Sequence, residues 1–346
     1  MTRDLETAFA SVWNTDTPFV LYRLPKEKEV VLLQQNTPTL YPLDSATQGF
    51  VIAPFEASQN ALWIHADVTQ TFKALETREL PSNVPLPPEA EKAAFLAMLE
   101  AVKAPLQAQH LDKVVLSRKI TVDHQQQTPI ALYIKLLTYF PNALVYCWHH
   151  PKQGTWLGAS PEQLLQQQND SFSTMALAGT LPMSETPQWT SKERYEQQLV
   201  VDRIVEVLQQ QFPNEQVVLS PTYTKQAGNL VHLNTDISFN APSDSLFKIV
   251  AALHPTPAVG GVPLSVALKA IRAYEKYDRS FYSGYLGPVL ATTAQLFVNL
   301  RCMQWTGTAA QLYVGGGITA QSDAEAEWVE TQRKAAVLYN LLQGNL

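Results

Sequence analysis

Strand-like and helix-like segments follow one another in blocks along this chain, and that order is the strongest constraint on its fold. Between residues 18 and 65 four short apolar runs, FVLYRL, EVVLLQ, FVIAPF and ALWIHA, are separated by Pro, Gly, Asn and Asp, with no helical pattern between them. They read as strands and turns. A second block, ALVYCWHH, GTWLGAS, EQLLQQQ and FSTMALAGT, fills residues 143–180, and QVVLSPTYT and LVHLNTDISF follow residue 213. Helical patterns stand apart at EAEKAAFLAMLEAVKAPL, PIALYIKLLTYF, SKERYEQQLVVDRIVEVLQQQF, PLSVALKAIRAYEK and the C-terminus. Neighbouring strands with connections too short for a crossover helix pair antiparallel. Strict alternation of strand and helix is missing, so an α+β fold with mostly antiparallel sheets is expected, not a doubly wound one. The segment richest in chain breakers, LPSNVPLPP at 80–88, leads into the first of these helices.

Composition narrows the class. The 346 residues are 46% apolar with a net charge of −6. No run approaches the roughly eighteen apolar residues of a membrane span. The opening MTRDLETAFASVW carries acids early and lacks the apolar core of a signal peptide. Lys and Arg are dispersed and the balance is acidic, which argues against a nucleic-acid footprint. Cys147 and Cys302 each sit in an apolar run and make neither a disulfide framework nor a zinc site. A cytoplasmic protein is expected.

Several residues could carry chemistry. SDAEAEWVETQRK, 322–334, packs four carboxylates and two cations into thirteen positions just after Gly315, Gly316 and Gly317. At about 100° per residue, Glu327, Glu330 and Lys334 share one stripe of a helix. Trp328, Ala335, Leu338 and Leu342 form the apolar row that docks it. Ser322 followed by Glu325 fits a capping box. Glu193 and Glu196 repeat the i, i+3 spacing of Glu327 and Glu330. Each pair alone also fits a solvated helix face. Together they offer four carboxylates without His or Cys, an oxygen-only donor set suited to Mg²⁺ and an anionic substrate.

Lys113 starts the strand KVVLSRKI and shares a face with Val115 and Ser117. A lysine there is either solvated or, if enclosed, able to serve as a neutral base. Glu162, behind the small residues Gly158, Ala159 and Ser160, is either a first-turn glutamate favoured by a helix dipole or a general acid in a closed pocket. Arg301, read as mid-strand in LFVNLRCMQ, is either exposed or facing an anion. Three consecutive glycines exceed what a turn needs and suggest backbone amides approaching an anion. HPTPAVGGVP, 254–263, reads as a shaped loop of the kind that carries function.

KVVLSR, GASPE, ALAGT, KERYEQ, LHPTPAVGG, YSGYLGPV, LFVNLRC, YVGGGI and SDAEAEWVET occur in the order found in the chorismate-utilising enzymes, which the chain resembles from about residue 90 to its end. The first ninety residues match only vaguely. The resemblance implies one chorismate-binding domain over 1–346, with a catalytic core at 91–346 of stacked antiparallel sheets wrapped by helices. It implies chorismate as substrate and Mg²⁺ as cofactor. By motif position, Lys113 resembles the base that activates water for attack at C2, and Glu162 the acid that protonates the departing C4 hydroxyl. Glu196 and Glu330 resemble direct Mg²⁺ ligands, with Glu193 and Glu327 supporting them. Tyr282, Arg301, the Gly315 and Gly316 amides and Lys334 sit where relatives hold the substrate's carboxylates, and His254 and Thr180 would line the same pocket.

Within the family, the HPTPAVGG loop most resembles isochorismate synthases. The chain contains no glutaminase region, so no glutaminase partner is expected. Ala178 stands where aminodeoxychorismate synthases often carry a nucleophilic lysine, which leaves room for water. Salicylate synthases share the first step and add pyruvate elimination, and they remain the alternative. A non-catalytic binder of shikimate-type acids would be expected to lose an acid or base, yet every motif residue is present. A monomer or weak dimer is expected.

Overall fold

In the computed structural model, which describes residues 2–43, 48–56, 61–73, 75–81, 83–108, 110–124, 127–184 and 186–346, the blocks of strands assemble into two nine-stranded sheets. The first runs, in spatial order, through Gly261–Val262, Lys113–Asp123, Ala309–Ile318, Cys302–Trp305, Gly154–Ser160, Leu144–His150, Phe19–Arg23, Glu29–Gln34 and Val68–Lys73. The second runs through Val218–Leu219, Leu230–Asn240, Ser171–Pro182, Gln163–Gln168, Thr293–Val298, Tyr285–Leu290, Gly49–Ala53 and Leu62–His65, with Tyr223–Ala227 also paired to Leu230–Asn240. Every strand pairing is antiparallel, as the block order requires.

The sheets are stacked and helices cover their outer faces. Alternation along Phe19–Arg23 shows the layering: Phe19 and Leu21 join the cluster under helices Thr2–Asn14, Pro129–Tyr139 and Ala324–Leu342. Val20 and Tyr22 point the other way and meet Phe50, Ile52, Leu286 and Phe297 of the second sheet. A third cluster packs helices Ser191–Gln211 and Leu246–Leu253 on the outside of the second sheet. Phe19–Arg23 is buried along its whole length because both of its faces are covered, which is why Phe19, Val20, Leu21 and Tyr22 are apolar on either side. The first ninety residues supply outer strands to both sheets.

The final helix, Ala324–Leu342, starts one residue later than the sequence suggests. Asp323 caps it, accepting from the amide of Ala326 at 2.9 Å, while the Ser322 hydroxyl accepts from the amide of Thr319. Asp and Ser are comparable caps, and here the aspartate sits at the position from which a carboxylate reaches the first turn. The expected apolar row is in place, with Trp328, Ala335, Leu338 and Leu342 fully buried.

One buried ion pair ties the edge of the first sheet to the 254–263 loop. Arg279 binds both oxygens of Glu275, at 2.8 and 2.6 Å, and donates to the carbonyls of Val259 and Val115. Glu275 in turn accepts from the amide and hydroxyl of Ser117. Removing one member of such a pair strands a charge in the interior. Arg279→Met should therefore lower unfolding stability by about 3–5 kcal/mol, read from denaturant midpoints. The wild type should unfold in one transition that coincides by fluorescence and circular dichroism, because both sheets share a core.

Candidate active site

Among the connections that carry the chain between the sheets, two each hold a candidate residue. Ser160 ends a strand of the first sheet and Gln163 begins one of the second, so Pro161 and Glu162 bridge the gap. Val298 ends a strand of the second sheet and Cys302 begins one of the first, so Asn299, Leu300 and Arg301 bridge it in return. The crossings are bonded side by side. The Ala159 amide donates to the Arg301 carbonyl at 3.1 Å and the Val298 amide to the Glu162 carbonyl at 3.0 Å, and the Ser160 hydroxyl donates to the Val298 carbonyl.

Neither residue lies where local pattern placed it. Glu162 begins no helix, so the dipole explanation for it fails. Arg301 is not mid-strand; it sits in the crossing with φ +48°, a left-handed conformation uncommon for a side-chain-bearing residue. Gly158 makes the close approach possible, since a Cβ there would lie 3.0 Å from the Arg301 carbonyl and 2.9 Å from Cys302 Cβ.

Between the crossings lies a cavity of about 80 Å³ whose walls include Glu162, Thr180, Glu196, Tyr282, Arg301, Gly315, Gly316 and Lys334. The aromatic wall is Tyr282 stacked on Tyr313 with ring centroids 5.3 Å apart. Glu162 is buried, and that burial pushes its carboxyl up to about 7 against the pull of Lys113, Lys225 and Lys334. Burial likewise lowers Arg301 to about 10, still a cation at neutral pH. Thr180 reaches the cavity through a bulge at Gly179, which has φ +68°. The buried Gln197 holds this strand to helix Ser191–Gln211, accepting from the Ala178 amide and donating to the Ala176 carbonyl.

Lys113 is 1% exposed and faces inward with Val115 and Ser117, as alternation predicts. It is not in the cavity wall itself. It reaches the wall through Glu196, with its ammonium 2.9 Å from the carboxylate. Two further pairs stand beside this one: Lys192–Glu327 at 2.6 Å and Lys334–Glu330 at 2.6 Å, with Lys334 also donating to the Gly315 carbonyl at 3.0 Å. Burial would raise Glu196, but the charge and hydrogen bond of Lys113, backed by Lys334 and Lys192, hold it below its ordinary value. Burial and the adjacent charge of Glu330 push Glu327 up to about 7.

The three glycines form no turn. They lie within strand Ala309–Ile318, paired with Ser117, Leu116 and Val115. Their lack of side chains makes room for carboxylates: a Cβ on Gly317 would lie 2.3 Å from Glu196 Oε1, and one on Gly316 would lie 3.3 Å from Glu327 Oε2.

Glu196, Glu327 and Glu330 are thus brought to one strip of backbone, and Glu193 is not. Glu193 Oε2 accepts from the amide of Thr190 at 3.0 Å and from its hydroxyl, completing a capping box. Its i, i+3 relation to Glu196 is the geometry of a helix start. His254 is also elsewhere: Nε2 donates to the Pro54 and Phe55 carbonyls at 3.1 and 3.2 Å, and burial lowers the ring to about 4. From the same loop, Ala258 and Val259 line the cavity instead.

The histidine that does line it is His232, which sequence reasoning passed over. It pairs with Thr180 in register across the sheet, and Nδ1 donates to the Gly179 carbonyl at 3.0 Å. Burial, with Arg301 and Lys334 nearby, lowers it to about 3, so it is neutral. Its inward place on the alternation of LVHLNTDISF was the available signal.

The donor set suits a hard divalent cation at three of the four carboxylates. Glu327 Oε2 is buried with no hydrogen-bond partner among the described residues. Lysines now hold the other oxygens, and among the described residues no three such side chains converge on a metal-sized point. No helix among the described residues is long and apolar enough to cross a membrane.

Residues 51–343 match the model of the chorismate binding enzymes, and the chain belongs to that family. Among curated relatives, isochorismate synthase EntC of Escherichia coli (strain K12) is 28% identical over 287 residues, covering 79% of this chain and 71% of that protein. Isochorismate synthase MenF of Pasteurella multocida is 31% identical over 276 residues, covering 74% of this chain and 63% of the relative. Of solved structures, DhbC from Bacillus anthracis superposes with a TM-score of 0.82 at 22% identity, over 95% of this chain and 97% of that one, which shows a shared fold.

Glu162 offers a direct test. Its folded value near 7 exceeds the ordinary carboxyl value of about 4.3, so the folded state holds the extra proton between those limits. The associated stability is present below about 4.3 and is lost as pH rises through 7. Glu162→Gln should remove that loss, so its denaturation midpoint should gain on the wild type between pH 5 and pH 8. A constant gap across that range would mean Glu162 is not buried as a neutral acid.

Proposed function

We propose that this chain is an isochorismate synthase, isomerising chorismate to isochorismate by adding water at C2 while the C4 hydroxyl departs. Glu162 carries the reading: a buried carboxyl, raised to about 7, faces a cavity whose other walls bear Arg301, Lys334 and Glu196, with Lys113 paired behind Glu196. The names of the relatives at 28–31% identity support the choice of reaction within the family.

In this reading Glu162 gives its proton to the leaving C4 hydroxyl, which departs as water. Lys113, as free amine, takes one from the water that attacks C2. The ring double bonds shift between the two carbons, so atoms and protons balance. Arg301 and Lys334 hold the carboxylates, and Tyr282 with Tyr313 closes the ring's flank. Neutral His232 and Thr180 add hydrogen-bonding groups without adding charge. Glu196 and Glu330, with Glu327 beside them, would hold a Mg²⁺, which when bound would supply positive charge to anchor a substrate carboxylate.

Incubation with chorismate and Mg²⁺ should yield isochorismate without pyruvate. Stoichiometric pyruvate would make the chain a salicylate synthase, and unreacted chorismate would leave it a binder. Lys113→Gln and Glu162→Gln should each cost kcat about a hundred- to ten-thousand-fold, with KM much less affected. More than about half the kcat surviving in Lys113→Gln would make that lysine structural. EDTA should abolish turnover, and Glu330→Gln should weaken Mg²⁺ binding, measured by calorimetry, far more than it lowers stability.

A further inference from the structure

A second and larger cavity of about 910 Å³ adjoins the catalytic one, and the two share Pro161 and Arg301. One wall is formed by residues 77–81 with Asn83, Val84 and Leu86; another is the strand Tyr223–Ala227 with the residues after it. Four cations line it, Arg78, Lys225, Arg301 and Arg333, against one acid, Glu79. This is unusual in a chain of net charge −6. Some cations, such as Lys113, Lys192, Arg279 and Lys334, are bound to carboxylates; what sets the cleft apart is that it gathers four that are not. Among the described residues none of the four cleft cations has such a pair.

Lys225 is the most constrained of them. It is half-buried, its ammonium lies 3.3 Å from the Met175 sulfur, and burial lowers its proton affinity. It also acts electrostatically on Glu162. Asp236 and Glu162 both act on it electrostatically, and it lines the cleft beside the inner cavity that Glu162 faces. Clefts lined by one sign of charge concentrate field lines and raise the encounter rate of ions of opposite sign.

Resting on the proposed function, we infer that this cleft is the entrance for the substrate: Arg78, Lys225 and Arg333 draw in a ring bearing two carboxylates and pass it to Arg301, which stands in both cavities. Residues 77–81, Asn83, Val84 and Leu86 then have a role in substrate capture as one wall of that entrance.

The test is kinetic. Combining Arg78→Gln, Lys225→Met and Arg333→Gln should lower kcat/KM for chorismate about tenfold at low ionic strength, and the deficit should shrink as salt screens the cations. Lys225→Arg, which keeps the charge, should retain most of the rate. Lys103→Gln, which removes an exposed charge bound to Glu100 far from the cleft, should leave the salt dependence unchanged. No loss, or an equal loss at every salt concentration, overturns the inference. Wild-type turnover of chorismate tests the functional reading separately. Association of phthalate, a ring dianion that needs no turnover, can be followed by stopped-flow tryptophan fluorescence. It should be slowed by the triple variant with the same salt dependence, and indistinguishable traces overturn the entrance even where the reading stands.

Discussion

The hydrogen-bonded pair of crossings between the sheets is the constraint on which the site depends. Two stacked antiparallel sheets have no reason to exchange strands in their middle, since each crossing leaves backbone groups without a ladder partner. Here the two crossings supply each other's partners, through Ala159 with Arg301 and Val298 with Glu162. Once bonded side by side, they hold an acid and a guanidinium at the gap between the sheets, where packing from both sides excludes water. The burial that raises Glu162 and lowers Arg301 follows from this placement. The cost is the left-handed backbone at Arg301, one of the strained positions that surrounding structure can enforce at a functional site.

Around that gap the charges are organised by absence of side chains as much as by their presence. Gly316 and Gly317 remain in an ordinary strand, and the volume their side chains would fill is taken by carboxylates from two helices. Three lysines answer those carboxylates, so each acid is held in an ion pair. A buried carboxylate without a partner would be costly. The partnerless oxygen of Glu327 and its raised value show where that balance is least complete. The inner cavity's Lys334 is paired with Glu330, whereas among the described residues the outer cleft's Arg78, Lys225 and Arg333 have no carboxylate pair.

Much of this was legible before the structure. The order of blocks implied antiparallel sheets, and the 3.6-residue period put Glu327, Glu330 and Lys334 on one stripe with Trp328 on another. The two-residue period turned Lys113 inward with Val115 and Ser117. Each of these is a local consequence of backbone geometry, and each held. What failed also has a local cause. Ser322 and Asp323 are both competent caps, so the helix start moved by one residue. Glu193 and Glu196 have one spacing but different tasks, because a helix start consumes the acid at its third position. His254 sits in a motif of the family, yet its ring turns to the carbonyls of Pro54 and Phe55, which lie 200 and 199 residues away.

The sequence by itself determined the elements, their antiparallel pairing and the faces on which Lys113, Glu327, Glu330 and Lys334 project, because periodicity and short connections are properties of neighbouring residues. The tertiary structure alone decided that Glu196 would meet Lys113, that His232 and not His254 would line the cavity, and that Gly316 and Gly317 would make room for carboxylates instead of forming a turn. It also decided that residues 77–81, Asn83, Val84 and Leu86 would wall the cleft beside Arg301. Those outcomes are distances between residues far apart in the chain. Such distances are set by how two sheets stack and where the chain crosses between them, and no local period encodes that.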